Sequence, residues 1–548
     1  MAESSSPWWK RTTVYQIYPR SFYDSDGDGI GDLQGIIEKL DYIQELGFET
    51  LWFSPFTMSP QADFGYDVSN YLDIAPEYGT LEDCERLIEE VHARKMRIVL
   101  DMVLNHTSDQ HPWFQESRSS RDNPRRDWYI WRDGKSSSKP PNNWKAMIGG
   151  SGWNKDKQTG QWYWATFLPF QPDLNYRNPE VKEAMFGTVR HWLNKGVDGF
   201  RLDIFNAIFK DASFANNPFS WRPLPSEENP DGFFQRNDNT INHPDTFALA
   251  KELRKVVDEY VEPERFMVGE VFGSTQDIRK YCGNQDGLHM VFLFKSLQTP
   301  YTAHGFADLI EEYERYFPEP ATPTYVFGNH DRPRRKKTEA QARLQATFQL
   351  TARGVPFVYY GEEIGMNDVH IPLKDAKDPI AHRYGWVPQW IANWITGQGI
   401  LLNRDQCRTP MQWNSSEFAG FSKNSPWLPV HEDYPNRNVQ QQSEDESNSL
   451  LKCYKALLKL RKQYPTLQQG SMELLSSHHK DLLRYKRSLA GAHSIEVLLN
   501  FGDSKIVLDL PEGATLLFST NSPSSGTIEA PEQLNKFEGV IVLLPAQS

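Results

Sequence analysis

Three apolar, strand-like runs in this chain end on a carboxylate with a polar neighbour. They read Phe200-Arg201-Leu202-Asp203, Phe266-Met267-Val268-Gly269-Glu270 and Val326-Phe327-Gly328-Asn329-His330-Asp331. A fourth, Ile98-Val99-Leu100-Asp101, runs on into Asn105-His106. One such ending is common, but several in one chain point to a single site built from consecutive strand tips. A parallel (β/α)8 barrel builds its site in that way, on the C-terminal face of its strands.

The chemistry that needs such a set is cleavage of an acetal. A glycosidic bond is cut by a nucleophile or base on one side and a proton donor on the other. In double displacement the two carboxyls stand roughly 5–5.5 Å apart, and their proximity separates their proton affinities. Arg201 precedes Asp203 by two residues, so in a strand both side chains point to the same side and the guanidinium keeps the carboxylate ionised.

The rest of the chain follows the same rhythm. Short apolar strands at Val14–Tyr18, Thr50–Phe53, Met96–Leu100 and Gly354–Tyr360 alternate with helical patterns at Leu33–Leu46, Leu81–Arg94, a run beginning at Asn178-Pro179, and Thr246–Tyr260. Thr80 and Asp83 read as a capping-box start; Asn178-Pro179 reads as a cap followed by a first-turn proline. Two stretches break the pattern. Residues 105–173 are polar and rich in Trp, Arg, Asn and Pro without clear helices, and residues 367–445 are an elaborate loop region. After a helix at Leu450–Gln463, short β-prone runs at Ser494–Phe501, Lys505–Leu510, Thr515–Phe518 and Gly539–Leu544 read as antiparallel. The expected architecture is therefore α/β: a (β/α)8 TIM barrel over 1–104 and 174–469, a small domain inserted after the third strand over 105–173, and a C-terminal antiparallel β domain over 470–548.

Composition excludes some classes. A net charge of −13 argues against nucleic acid as a partner, which calls for a basic footprint. No apolar run is long enough to span a bilayer. Cys84, Cys282, Cys407 and Cys453 have no metal or redox spacing and read as free thiols. The N-terminus, Met1 to Lys10, has neither a basic start nor an apolar core, so no signal peptide is evident. A cytoplasmic location and a monomer or homodimer are expected. The run Asp24-Ser25-Asp26-Gly27-Asp28-Gly29-Ile30-Gly31-Asp32 places oxygens at alternate positions with central glycines, which suits a hard cation such as Ca2+ through Asp24, Asp26, Asp28, Ile30 and Asp32. The distal glutamate of an EF-hand is replaced by Gly35, so a single-loop structural site is expected.

Together, Asp101-Met102-Val103-Leu104-Asn105-His106, Gly199-Phe200-Arg201-Leu202-Asp203, Gly269-Glu270-Val271 and Asn329-His330-Asp331 resemble the four signature regions of the α-amylase family, glycoside hydrolase family 13. The similarity runs from Val14-Tyr15-Gln16-Ile17-Tyr18-Pro19-Arg20-Ser21-Phe22 into the C-terminal domain. Gln171-Pro172-Asp173-Leu174-Asn175, Ala62-Asp63-Phe64-Gly65-Tyr66-Asp67 and Arg408-Thr409-Pro410-Met411-Gln412-Trp413 resemble the oligo-1,6-glucosidase and exo-acting α-glucosidase subfamily. The resemblance implies Asp203 as nucleophile, Glu270 as general acid/base and Asp331 as a holder of sugar hydroxyls. It implies His106, His330 and Arg201 around the terminal glucose, Asp63 and Tyr66 at the pocket bottom, Arg408 reaching Asp63 or the sugar, Phe167 on the ring and Ile204 beside the scissile bond. Asp101 reads as a barrel residue behind the catalytic groups and Asp67 as a turn residue. Similar α-glucosidases carry a metal in the Asp24 loop; no organic cofactor is implied.

The expected activity is that of a retaining exo-acting α-glucosidase hydrolysing short α-glucosides, α-1,6 or α-1,4 or sucrose, from the non-reducing end, with or without glucosyl transfer. Sucrose isomerases or other α-glucosyl transferases are the alternative, but the stretch Arg332-Pro333-Arg334-Arg335-Lys336-Lys337 does not match the arginine-rich loop of the isomerases. Amino-acid-transporter heavy chains, a non-enzyme alternative, have a membrane span and a degraded carboxylate set, and neither is found here.

Overall fold

The computed structural model describes residues 6–335, 337–397, 402–445, 448–522 and 528–545. Residues 1–5, part of the stretch read for a signal peptide, and Lys336 of the basic run lie outside them. Eight parallel strands carry the fold: β1 (Val14–Ile17), β2 (Thr50–Phe53), β3 (Arg97–Val103), β4 (Gly199–Asp203), β5 (Phe266–Gly269), β6 (Met290–Val291), β7 (Thr324–Val326) and β8 (Val355–Tyr359). Their order is β6-β5-β4-β3-β2-β1-β8-β7. Each pair of consecutive strands but β6 and β7 lies side by side, and β1 lies beside β8, as in a TIM barrel. β1, β2, β4, β5 and β8 are buried along their whole length, which is why they read as continuous apolar runs rather than alternating ones.

The chain divides into two compact units, Trp52–His92 with Arg97–Phe292, and Met1–Leu51 with Ala93–Met96 and Leu293–Ser548. In the first unit, β4 pairs with β3 and β5, setting Arg201 opposite both Asp101 and Val268. Helix Leu81–Ala93 turns Cys84, Leu87, Ile88 and Val91 inward and starts on reciprocal bonds between Thr80 and Asp83. Helix Pro179–Asn194 starts on the Asn178 side chain and stops where Gly196 takes φ +100°, a conformation only glycine adopts without strain. Both starts are as the sequence implies.

In the second unit, β8 pairs with β1 and β7. The C-terminal antiparallel sheet is built from β9 (Ser471–Leu474), β10 (Leu482–Ser488), β11 (Ile495–Asn500), β12 (Thr515–Ser519), β13 (Ile528–Glu529) and β14 (Gly539–Leu543), in the order β9-β10-β11-β14-β12-β13.

Three local expectations differ. The single helix read over Leu33–Leu46 is two, Leu33–Glu38 and Leu40–Leu46. They break at Lys39, whose ammonium sits 3.8 Å from the Tyr23 ring centroid and 4.8 Å from that of Trp413, a tertiary contact that local periodicity does not report. The stretch 105–173 contains a helix, Pro112–Ser119, which buries only Phe114 and Ser117, too little to leave an apolar stripe. Of Lys505–Leu510 only Ile506–Val507 is strand, paired with Gln533–Leu534 outside the main sheet.

The sheet that carries Arg201 has no room at its start. A Cβ on Gly199 would lie 2.6 Å from the Phe266 carbonyl oxygen, and that backbone cannot swing aside. Gly199→Ala should therefore destabilise the fold by about 1–3 kcal/mol, the range for overpacking a core, read as a lowered thermal midpoint. An unchanged midpoint would contradict the packing described.

Candidate active site

Arg201 organises the site in the first unit. Its Nη1 donates to Asp101 Oδ1 at 2.8 Å and to Asp203 Oδ1 at 2.7 Å, and its Nη2 lies 2.7 Å from Glu270 Oε2. The guanidinium is buried, 5.5 Å from the Trp52 ring centroid and 5.7 Å from that of Tyr66. Burial works to discharge it, but Asp101, Glu270 and Asp203 override that and keep it charged. Burial raises the Asp101 carboxyl to about 6, against the pull of Arg201. Asp101 also accepts a bond from the Tyr66 hydroxyl at 3.0 Å.

The turn after β4 is strained. Ile204 follows Asp203 with φ +40° and ψ +39°, a left-handed conformation that is uncommon for a β-branched residue. The strain turns its backbone N–H onto Glu270 Oε2 at 3.2 Å. Its side chain is buried with Ala207 and Ile241, against Met147 and Phe272. Asp203, Ile204 and Glu270 are thus brought together by one guanidinium and one turn.

A second strained turn holds Asp63 and Tyr66. Gln61, Phe64 and Gly65 all have positive φ. Asp67 ties the turn by accepting from the Ser59 hydroxyl at 2.9 Å and from the N–H groups of Ala62 and Asp63 at 3.0 and 2.9 Å. Burial raises its carboxyl to about 7. Asp63 is buried and accepts from Gln171 at 2.9 Å. His106 Nε2 faces the Tyr66 carbonyl at 3.2 Å, and burial lowers its pKa to about 4, so it is neutral at physiological pH. Phe167 is half-buried beside Thr166, whose N–H and hydroxyl bond Asp173. Lys210, not singled out from sequence, is buried and bridges Asp173 and the Asn105 side-chain oxygen. It belongs to no motif and left no sequence signal.

In the second unit, Gln16 Nε2 lies 2.8 Å from His330 Nδ1, and His330 Nε2 lies 3.0 Å from Asp331 Oδ2. Tyr18 stacks on His330 with centroids 5.8 Å apart. Arg408 donates to the His330 carbonyl and to Asp331 Oδ1, both at 2.7 Å. Arg404 Nη1 reaches Asp331 Oδ1 at 3.4 Å, and its Nη2 donates to Asp378 at 2.8 Å. Burial acts to raise the Asp331 carboxyl, but His330, Arg408 and Arg404 hold it well below the usual carboxylate range. Arg404 was missed from sequence although it stands four residues before Arg408 in the same motif-bearing run.

In the acidic loop, Asp24, Asp26 and Asp28 bring carboxylate oxygens within 4.8 Å of one another. Each carboxylate also accepts a backbone N–H of the loop, from Gly27 and Gly29, Asp28, and Ile30 respectively. Asp32 is outside this cluster; it accepts from Ser25 and caps the next helix at Gly35 N.

With this geometry in place, comparison with known proteins identifies the family. The model of the α-amylase catalytic domain matches residues 16–470. The chain belongs to the α-amylase family. It is a glycoside hydrolase of family 13. Oligo-1,6-glucosidase of Parageobacillus thermoglucosidasius is 39% identical over 538 residues, 92% of each chain. Among solved structures, the α-glucosyl transfer enzyme XgtA matches with a TM-score of 0.87 and 36% identity over 99% of this chain and 100% of that one. Trehalulose synthase MutB from Pseudomonas mesoacidophila matches with a TM-score of 0.86 and 32% identity over 98% and 100%.

In this α-amylase-family chain the Asp67 turn makes a pH-dependent contribution. Its folded pKa, about 7, lies above the ordinary value, so proton uptake favours the folded state. That contribution is fully present below about pH 4 and is lost as pH rises through about 7. Asp67→Asn takes up no proton. It should lower stability at acid pH by about 1 kcal/mol for a lost hydrogen bond and flatten the thermal midpoint between about pH 4 and 7 relative to wild type. Parallel midpoint-against-pH curves for the two proteins would contradict the assignment.

Proposed function

We propose that the protein is a retaining exo-acting α-glucosidase that releases glucose from the non-reducing end of short α-glucosides. The observation that carries this reading is the shared Arg201 guanidinium. Its neighbouring nitrogens hold Asp203 and Glu270, so both carboxyls meet on one cation, an arrangement that suits the close pair of double displacement. Asp203, kept ionised by the guanidinium, attacks the anomeric carbon, and Glu270 protonates the leaving oxygen. Glu270 then removes a proton from water, which attacks the glucosyl–Asp203 ester from the same side that the aglycone left. Two inversions retain the α configuration. Asp63, Tyr66, His106, His330, Asp331 and Arg408 are assigned to the hydroxyls of the terminal glucose, and Phe167 to its ring face.

The family needs no organic cofactor. Asp24, Asp26, Asp28 and the Ile30 carbonyl would hold a Ca2+ ion as a structural tie. Burial first, and then Asp26, Asp24 and Asp32, raise the Asp28 carboxyl, a crowding of charge that a divalent cation relieves. No described helix is long and apolar enough to cross a membrane. The four cysteines are buried free thiols, which suits a cytoplasmic setting. Sucrose isomerisation is the second reading, favoured by the likeness to MutB. Against it, Arg334 is buried with its guanidinium 4.5 Å from the Tyr359 ring centroid, and Arg335 donates to the Ser296 and Thr299 carbonyls. Both cations face protein.

Asp203→Asn and Glu270→Gln should each lower kcat on maltose or isomaltose by several orders of magnitude in a folded protein, because both groups act in the transition state. NMR of the first glucose formed should show the α anomer, and starch should keep its viscosity. Near-wild-type turnover, initial β-glucose or rapid thinning of starch would each sink a different part of the reading.

Linkage preference is assigned to the wall around Ile204. An apolar side chain there, backed by Met147 and Phe272, crowds a compact α-1,4 aglycone, whereas the extra methylene of an α-1,6 bond swings past it. One such contact discriminates by about 1–3 kcal/mol, roughly 10–200-fold. Clear activity on isomaltose is expected, and Ile204→Ala or Ile204→Thr should raise kcat/KM for maltose relative to isomaltose. A ratio unmoved in both variants would remove Ile204 from specificity.

A further inference from the structure

The second unit carries a group of exposed tryptophans on and beside one helix. Trp386, Trp390 and Trp394 are 79%, 73% and 63% exposed. Trp390 and Trp394 stand one turn apart on helix Gln389–Gly397, and Trp386 sits in the turn leading into it, where the Val387 N–H bonds the Tyr384 carbonyl. The other side of the helix is already used. Ala392 is buried with Leu373, Ala376, Ala381 and Leu402, and Val387 and Ile395 pack against that cluster. A helix that is apolar on both sides is normally covered on both, and three neighbouring indoles form a patch of the kind that marks an interaction site.

We propose that this face docks on the same face of a second copy of the chain, across a two-fold axis. Three observations favour that occupant. The first is area. A buried aromatic contributes roughly 150–250 Å2, so at the observed exposures the three indoles alone supply on the order of 300–550 Å2 per copy, a large part of the ~800 Å2 per partner of a standard interface. The second is charge. From Trp386 to Leu402 the sequence holds no Asp, Glu, Lys, Arg or His, in a chain of net charge −13. A self-complementary patch sets each residue near its own copy, and an uncharged one is where two such chains approach without like charges meeting. The third is residue type, since tryptophan is enriched at interface cores and hot spots. A lipid surface fits less well: helices that lie on membranes carry a basic polar face, and anionic headgroups repel an acidic chain.

The patch rests on the same scaffold as Asp331. Asp378 caps helix Pro379–Arg383, whose Ala381 packs in the cluster beneath the patch, and pairs with Arg404, whose other nitrogen reaches Asp331. The dimer face is therefore tied to a site residue through two helices and one ion pair.

Sedimentation velocity of the full chain, over about 1–50 µM, a range matched to interfaces of this size, should show a dimer. Trp390→Lys puts two cations near the axis and should raise the dissociation constant at least about thirtyfold, the loss of an interface hot spot, with unchanged circular dichroism. Trp390→Cys, in a chain whose own cysteines are buried, should give a disulfide-linked dimer under mild oxidant, whereas Trp221→Cys, 85% exposed in the other unit, should not. A monomer throughout the range, a dimer that Trp390→Lys leaves intact, or co-flotation with phosphatidylcholine vesicles that Trp390→Lys abolishes would each overturn the proposal.

Discussion

One buried guanidinium holds the carboxylates of the first unit in place. Arg201 lies among Asp101, Asp203 and Glu270 with Trp52 and Tyr66 around it. Three carboxylates around one cation leave an excess of negative charge in a desolvated place, and the cost is visible at Asp101, which burial raises to about 6 even in contact with Arg201. An arrangement of this kind is retained for its geometry rather than its net stability, since breaking a buried pair costs about 3–5 kcal/mol while keeping it gains little over apolar packing. The register of β3, β4 and β5 fixes the three acids relative to the cation.

Strain is stored around the same point. Ile204 occupies the left-handed region directly after Asp203, and Gln61 and Phe64 do so in the turn that carries Asp63 and Tyr66. Each such residue costs on the order of 1–3 kcal/mol. Each turn is over-determined by bonds that replace what the backbone loses: the Ile204 N–H on Glu270, and three donors on Asp67. The second unit does the equivalent with charge, ringing Asp331 with His330, Arg404 and Arg408. The two carboxylate environments are thereby opposite in kind. Asp101 is pushed up by burial, and Asp331 is pulled down by cations.

The barrel and the carboxylates at its strand ends were legible in the sequence. Parallel strands buried on both faces are written as unbroken apolar runs, and strand-end carboxylates are local in sequence. Helix starts at Thr80 and Asn178 were legible because caps are satisfied within a few residues. What was not legible is what depends on contacts distant in sequence. The helix break falls at Lys39, whose ammonium lies over Tyr23 and Trp413; Lys210 reaches Asn105 and Asp173 across about a hundred and about forty residues. Arg404 stood in plain view, but nothing in the sequence marked it, or Arg408, as a partner of Asp331.

The sequence alone thus determined which strands form, which carboxylates stand at their ends and that Arg201 faces the same side as Asp203, because period-two side-chain alternation is a property of a single strand. Only the tertiary structure decided that Glu270 shares that guanidinium, that Ile204 must adopt a strained turn to aim its N–H at Glu270, that Asp32 caps a helix instead of joining the acidic cluster, and that Trp386, Trp390 and Trp394 are left on the surface. Those outcomes depend on register between strands and on burial, and neither is written in any one segment of the chain.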